Sequence, residues 1–148
     1  MDEYLHRLLF YQKRDFTAAQ FKEFLFSLTT PNIEMMELIR QLKAAYDLKI
    51  FAVSNEAKEI NEFRIHKFQL NLFIDFFISS CYVQVRKPDS AIFKLALNGA
   101  QVPADRIVYI DNVQMFTDVA TDLGIRSIWH KNHASTAEEL AELGLKIK

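Results

Sequence analysis

Four apolar or aromatic residues, Ile107-Val-Tyr-Ile110, run straight into Asp111-Asn112, and a helix-forming stretch from Val113 to Gly124 follows. This strand–acid–helix order constrains the fold more than any other part of the chain. A short strand without polar alternation belongs inside a parallel sheet covered on both faces. Gly124 suits the C-cap of the helix behind it. In such sheets the chemistry lies outside the carboxyl ends of the strands, which is where Asp111 falls. A carboxylate there meets a cation, a sugar hydroxyl or a substrate group. It can equally serve as an ordinary helix N-cap, and the strand alone leaves both readings open.

The remaining chain repeats the alternation from Leu48 onwards. Leu48–Val53 predicts a strand, and Ser54-Asn55-Glu56 opens a helix reaching about Phe68. Phe73–Ser79 predicts a second strand, and a helix follows Lys87-Pro88-Asp89 as far as Gly99. After Ile107–Ile110 and its helix come the strand Ile125–Trp129 and a last helix capped by Ser135-Thr-Ala-Glu138. Alternating strands and helices imply a parallel sheet with right-handed crossovers, sandwiched by helices. The fold class is therefore α/β and Rossmann-like.

Residues 1 to about 46 read as helices only. Tyr4, Leu5, Leu8, Leu9 and Phe10 form one stripe; Phe21, Phe24, Leu25 and Leu28 form another behind the capping box Thr17–Gln20. Pro31 suits the first turn of a third helix carrying Met35, Leu38, Ile39, Leu42 and Tyr46. Such stripes are core, or a lid over a site. Residues 1–30 form a helical segment and 31–148 the α/β unit.

Bulk properties exclude several classes. A net charge of −1 leaves no basic footprint for nucleic acid and no polybasic membrane patch. No apolar run approaches a membrane span. The single cysteine, Cys81, precludes an intrachain disulfide and fits a reducing cytoplasm. His130 and His133 lie i, i+3 but lack further metal-ligand residues nearby, so they make a poor metal pair.

Three polar points stand at strand ends or helix starts: Ser54-Asn55, Lys87 and Asp111-Asn112. Ser54 offers a hydroxyl beside the free N–H groups of the next helix, a combination suited to an anion. Lys87, just before a proline and a helix, offers an ammonium to a phosphate. Asp111 offers a carboxylate for Mg²⁺. Hydroxyl, cation and carboxylate together suit phosphoryl transfer, which depends on positioning and charge neutralisation.

Val53-Ser54-Asn55, Arg86-Lys87-Pro88-Asp89 and Tyr109-Ile-Asp111-Asn112, in this order, resemble motifs II, III and IV of the haloacid dehalogenase-like (HAD) hydrolases. The likeness is to the phosphatase and dehalogenase branch with a helical cap, and it covers about Ile33 to Leu143. It implies that residues 1–30 are the end of that cap. It implies that Ser54 and Lys87 are catalytic and, with Asn55, bind substrate, and that Asp111 and Asn112 bind Mg²⁺. The implied reaction is Mg²⁺-dependent hydrolysis of a small phosphorylated metabolite through an aspartyl-phosphate.

The chain departs from the family where the nucleophile belongs. The family's first motif is Asp-x-Asp, yet this chain has nine Asp and no two lie two residues apart. Asn112 replaces the second Asp of many relatives, and Asp118 stands too far along the helix to substitute. The missing motif also removes the central strand between those ending at Ser54 and Asp111, exposing two inner sheet edges. Three outcomes stay open: direct pairing of the two strands, a strand donated by another copy, or completion by an upstream segment. The expectation is a truncated HAD-like hydrolase, inactive alone and binding Mg²⁺ weakly or not at all. The alternative is a catalytically dead binding or assembly module, with a homo-oligomer formed through the exposed edges.

Overall fold

The computed structural model describes residues 2–147, apart from the side chains of Asp2 and Tyr4; the Tyr4 side chain of the first stripe thus lies outside the described residues. Three helices lead: α1 (Asp2–Leu8), α2 (Ala18–Ser27) and α3 (Ile33–Tyr46). Alternation then sets in with β1 (Phe51–Ser54), α4 (Lys58–Lys67), β2 (Phe76–Ser79), the short α5 (Ser80–Val83) and α6 (Ser90–Ala100). It ends with β3 (Val108–Asp111), α7 (Gln114–Asp122), β4 (Arg126–Trp129) and α8 (His133–Glu142). This is the expected α/β order with parallel strands.

The sheet, however, is in two pieces. β1 pairs only with β2, Phe51 opposite Phe76 through Ser54 opposite Ser79. β3 pairs only with β4, Val108 opposite Arg126 through Asp111 opposite Trp129. Among the described residues no ladder joins β1 to β3, so the first open outcome, direct closure, is not the one adopted. Among the described residues each of these strands keeps one unpaired edge.

Side chains hold the halves together instead. Alternation along β3 sends Val108 and Ile110 to one face, where they pack with Ile128 under Leu38 and Leu42 of α3 and Leu140 of α8. Tyr109 points to the other face, towards Ile92 and Phe93 of α6. The same α6 residues take Val53 of β1 and Ile78 of β2, with Ala120 of α7 and Ile125 completing the cluster. One helix therefore spans both strand pairs. Ile92 and Phe93 are fully buried, and burying such side chains stabilises by about 1.5–3 kcal/mol each.

Several boundaries differ from expectation because distant partners intervene. β1 begins at Phe51, not Leu48, since the Ile50 N–H is held by the Asp75 carboxylate at 2.8 Å before the ladder starts. Asp75 also pairs with Lys43. β2 begins at Phe76 because a 3₁₀ turn, Leu70–Leu72, and the Ile74 N–H bonded to the Leu70 carbonyl occupy the preceding residues. Ser54 does not open a helix: α4 starts at Lys58, while the Glu56 N–H is donated to Ser80 Oγ at 3.1 Å. The N-cap of α8 is Asn132, accepting from the Ser135 N–H at 2.9 Å, so the Ser135–Glu138 capping box lies inside the helix. Asn32, not Pro31, bounds α3. Gly124 stands one residue beyond the C-cap Leu123 of α7, with φ +82° in the region that favours glycine.

The capping box at Thr17–Gln20 forms as expected: Gln20 N–H donates to Thr17 Oγ1 and the Gln20 side chain accepts the Thr17 N–H. The apolar stripe behind it is not core, since α2 buries no residue completely and Phe24 and Leu28 are exposed. Among the described residues it reaches the α/β unit through Phe26, stacked on Phe63 of α4 at 4.5 Å. With no residue of α2 completely buried, its cap matters. Thr17→Ala is expected to cost α2 about 1 kcal/mol, seen as faster amide exchange at Phe21 to Leu25 with the global melt almost unmoved.

Candidate active site

The expected polar points lie at the carboxyl ends of the strands, and contacts join Asn55, Lys87 and Asp111. Ser54 and Asp111 are the last residues of β1 and β3. Lys87 lies in the loop before α6, at a cis Lys87–Pro88 bond, with Asp89 capping the helix through the Ala91 N–H at 2.9 Å. Its backbone is fixed by Asn55. The Asn55 carboxamide accepts the Lys87 N–H and donates to the Lys87 carbonyl, both at 2.8 Å. Both polar ends of Asn55 are thus turned to the lysine backbone, which ties the loop to the end of β1.

From that anchor the Lys87 side chain crosses to β3. Its ammonium lies 2.6 Å from Asp111 Oδ2 and 3.2 Å from the Tyr109 hydroxyl, and Lys87 is only 8% exposed. The ammonium also sits over the Phe116 ring, 4.8 Å from its centroid, a cation–π contact that strengthens when desolvated. Asp111 Oδ2 additionally accepts from the Tyr109 hydroxyl at 2.5 Å, while Oδ1 accepts the Val113 N–H at 2.9 Å. The N-cap-like role and the salt-bridge role of Asp111 therefore coexist, one on each oxygen.

These contacts decide the ionisation of the cluster. Burial pushes the Asp111 carboxyl upwards, but the bonds from Lys87, Tyr109 and Val113 outweigh it, and the group ends below its ordinary value. Tyr109 moves the opposite way: burial first, then the bond to Asp111 and its charge, keep the phenol protonated. An anionic Asp111 held by a cation and a phenol is the result.

Asn112 is exposed, and its backbone carbonyl accepts the Trp129 indole N–H at 3.1 Å. Mg²⁺ requires near-octahedral oxygen ligation, commonly one or two carboxylates with substrate phosphate and water. Here one carboxylate, already engaged by three donors, and one amide are on offer. Among the described residues no three His, Cys, Asp or Glu gather where they could hold a metal. Asp111 and Asn112 by themselves do not fit a resident Mg²⁺. His130 Nδ1 lies 2.8 Å from Thr136 Oγ1. Burial raises the Cys81 thiol above its ordinary value, so it stays protonated.

On its other face Ser54 meets residues that motif reading passed over. Its hydroxyl is bonded to Ser79 Oγ at 3.1 Å, and Ser79 Oγ to Asn61 Oδ1 of α4 at 3.0 Å. The register of β1 on β2, which sets Ser79 opposite Ser54, is what brings them together. Tyr109 carried a usable signal, standing two residues before Asp111 and therefore on the same strand face. Asn61 and Ser79 carried none that a single sequence displays.

Comparison with known proteins agrees with this architecture. Residues 4–112 match the model of the haloacid dehalogenase-like hydrolase family. The chain is 27% identical over 146 residues to the chloroplast flavin mononucleotide hydrolase 1 of Arabidopsis thaliana, covering 99% of this chain and 59% of that protein. It is 28% identical over 111 residues to an (S)-2-haloacid dehalogenase of Pseudomonas putida, covering 75% of this chain and 48% of the other. It thus spans between about half and three fifths of these relatives. A predicted HAD-like family hydrolase from Porphyromonas gingivalis shares the fold, with a TM-score of 0.81, 20% identity, and coverage of 99% of this chain and 74% of that one. So does a HAD family enzyme from Bacteroides thetaiotaomicron, solved as an aspartate-to-alanine mutant with magnesium and inorganic phosphate. For that pair the TM-score is 0.69 at 17% identity, covering 88% of this chain and 68% of the other. With its motifs at the strand ends and the family model matched over most of its length, this chain belongs to the haloacid dehalogenase-like hydrolases.

Proposed function

We propose that these residues form the phosphate-handling part of a phosphomonoester hydrolase acting on a small phosphorylated metabolite in the cytoplasm, and that they are inactive until a further strand supplies a nucleophilic carboxylate. The observation that carries the proposal is the reach of Lys87 between two strand ends: Asn55, next to Ser54, ties its backbone to β1, and its ammonium meets Asp111 at the end of β3. A phosphoryl group at this end would be met by the Ser54 hydroxyl and by the Lys87 charge. A carboxylate oxygen from the added strand would bond to phosphorus as the ester oxygen leaves, and water would release phosphate. The unpaired edges of β1 and β3 are where that strand would lie. Mg²⁺ would then depend on carboxylates brought by the strand. Residues 1–30 would be the end of a helical cap. The sequence offers no basic surface for nucleic acid, and no described helix is long and apolar enough to cross a membrane.

The same unpaired edges favour one other reading, an assembly module in which a second copy donates the strand. The purified chain with Mg²⁺ and p-nitrophenyl phosphate is expected to give no hydrolysis. Adding an apolar peptide that ends in Asp-x-Asp should produce Mg²⁺-dependent hydrolysis, removed by Asp111→Asn. Hydrolysis by the chain alone, sedimenting as a monomer, would overturn the need for a strand. A stable dimer indifferent to the peptide would favour the assembly module.

A further inference from the structure

Ser54 can serve an anion only if its hydroxyl proton is free to point at it. In the structure that proton is committed elsewhere. Ser79 is fully buried and has a single proton, which goes to Asn61 Oδ1 at 3.0 Å. Ser79 must therefore accept from Ser54, at 3.1 Å, and the Ser54 proton turns away from the strand-end site. At the far end of this chain of bonds, Asn61 Nδ2 is buried and has no well-formed hydrogen bond among the described residues. Asn61 itself is only 5% exposed. A buried donor left without an acceptor is among the least tolerated features of a folded protein. The Tyr82 hydroxyl lies near this amide and gives its proton to Glu62 at 3.0 Å.

Rotating the carboxamide by half a turn resolves both conditions. The oxygen and nitrogen of an amide occupy nearly the same volume, so the rotation needs no repacking. Nδ2 then donates to Ser79 Oγ, the Ser79 proton turns to Ser54 Oγ, and the Ser54 proton is released towards the site. The amide oxygen takes the position of the orphan donor, where the Tyr82 hydroxyl can turn to it. Granted the phosphate-binding role of Ser54, we infer that Asn61 is a positioning residue: the orientation of its amide sets, through Ser79, whether Ser54 presents a proton or a lone pair to the substrate phosphate. The donating orientation of Asn61 is the one that binds.

Asn61→Asp keeps the shape and removes the donor, so it locks the Ser54 proton onto Ser79. Inorganic phosphate affinity, measured by calorimetry on the full chain, is expected to fall roughly tenfold more from Asn61→Asp with Ser54 present than in a Ser54→Ala background. Because the added carboxylate repels phosphate in both backgrounds, that repulsion cancels in the comparison. Equal losses in the two backgrounds would overturn the inference. Should the unmodified chain bind no phosphate, the phosphate reading fails by itself. The inference is then judged in the unmodified protein by nuclear Overhauser contacts between the Asn61 amide protons and the Ser79 β-protons. Contacts present keep it; contacts absent overturn it. The same measurement serves if Asn61→Asp does not fold.

Discussion

Lys87→Met should be the most damaging single change at the site, lowering stability by about 3–5 kcal/mol. The reason is asymmetry. The ammonium lies 2.6 Å from Asp111 Oδ2, and both side chains are only 9% exposed. Without the cation a buried carboxylate keeps just the Tyr109 hydroxyl and the Val113 N–H. For a domain of this size the melting temperature should fall by on the order of 10 °C. The double change Lys87→Met with Asp111→Asn should recover much of the loss, because no charge is then stranded. Thermal unfolding of the unmodified protein, the two single variants and the double variant checks this. Near-additive losses in the double variant would show that the pair is not coupled as described.

The same pair fixes a pH dependence. The Asp111 carboxyl is held below its ordinary value of 3.8. A depressed folded-state value stabilises the protein above the unfolded value, and the contribution is lost as pH falls through the folded one. Asp111 should therefore add stability throughout the neutral range and lose it below about pH 4. In Lys87→Met the carboxyl rises, and acid unfolding should begin at a higher pH.

Phe93→Ala ranks beside it, at about 3–5 kcal/mol. Phe93 is 1% exposed and packs with Ile92 of α6, Ala120 of α7 and Ile125 in the cluster that takes side chains from both strand pairs. Its ring meets Tyr109 edge-on, with centroids 5.3 Å apart. The cavity left by alanine would therefore open beneath the residue that holds Asp111 and between the two halves of the sheet. Urea unfolding should show a lower midpoint. A loss under about 1 kcal/mol would mean that the halves are not joined through this ring.

Much of this was legible in the chain, for physical reasons that differ by element. The strand Ile107–Ile110 and the helix behind it are local features, apolar continuity followed by 3.6-residue periodicity, and they appear within a residue of expectation. The Thr17–Gln20 box is local too. Start points set by distant partners were not legible. The Asp75 carboxylate holds Ile50, and Ser80 holds Glu56, across 25 and 24 residues of sequence. The exposure of Phe24 and Leu28 was hidden as well, since a helical stripe states what can be buried and not what arrives to bury it. At the site, Ser54, Lys87 and Asp111 were readable because each stands at a strand end or before a helix. The partnership of Tyr109 with Asp111, and of Asn61 with Ser79, depends on burial and strand register.

The Asn55 clamp has a consequence for how the site can change over generations. Its amide reads the peptide edge of residue 87 much as one base reads another, a donor against an acceptor and an acceptor against a donor. Position 55 therefore demands a carboxamide of this length, since aspartate lacks the donor and glutamine overshoots. Position 87 is read only through its backbone, so the clamp is blind to the side chain there. Selection can exchange the cation without disturbing the loop that carries it, and the exchange is registered across the gap by the buried acid, the phenol and the Phe116 ring.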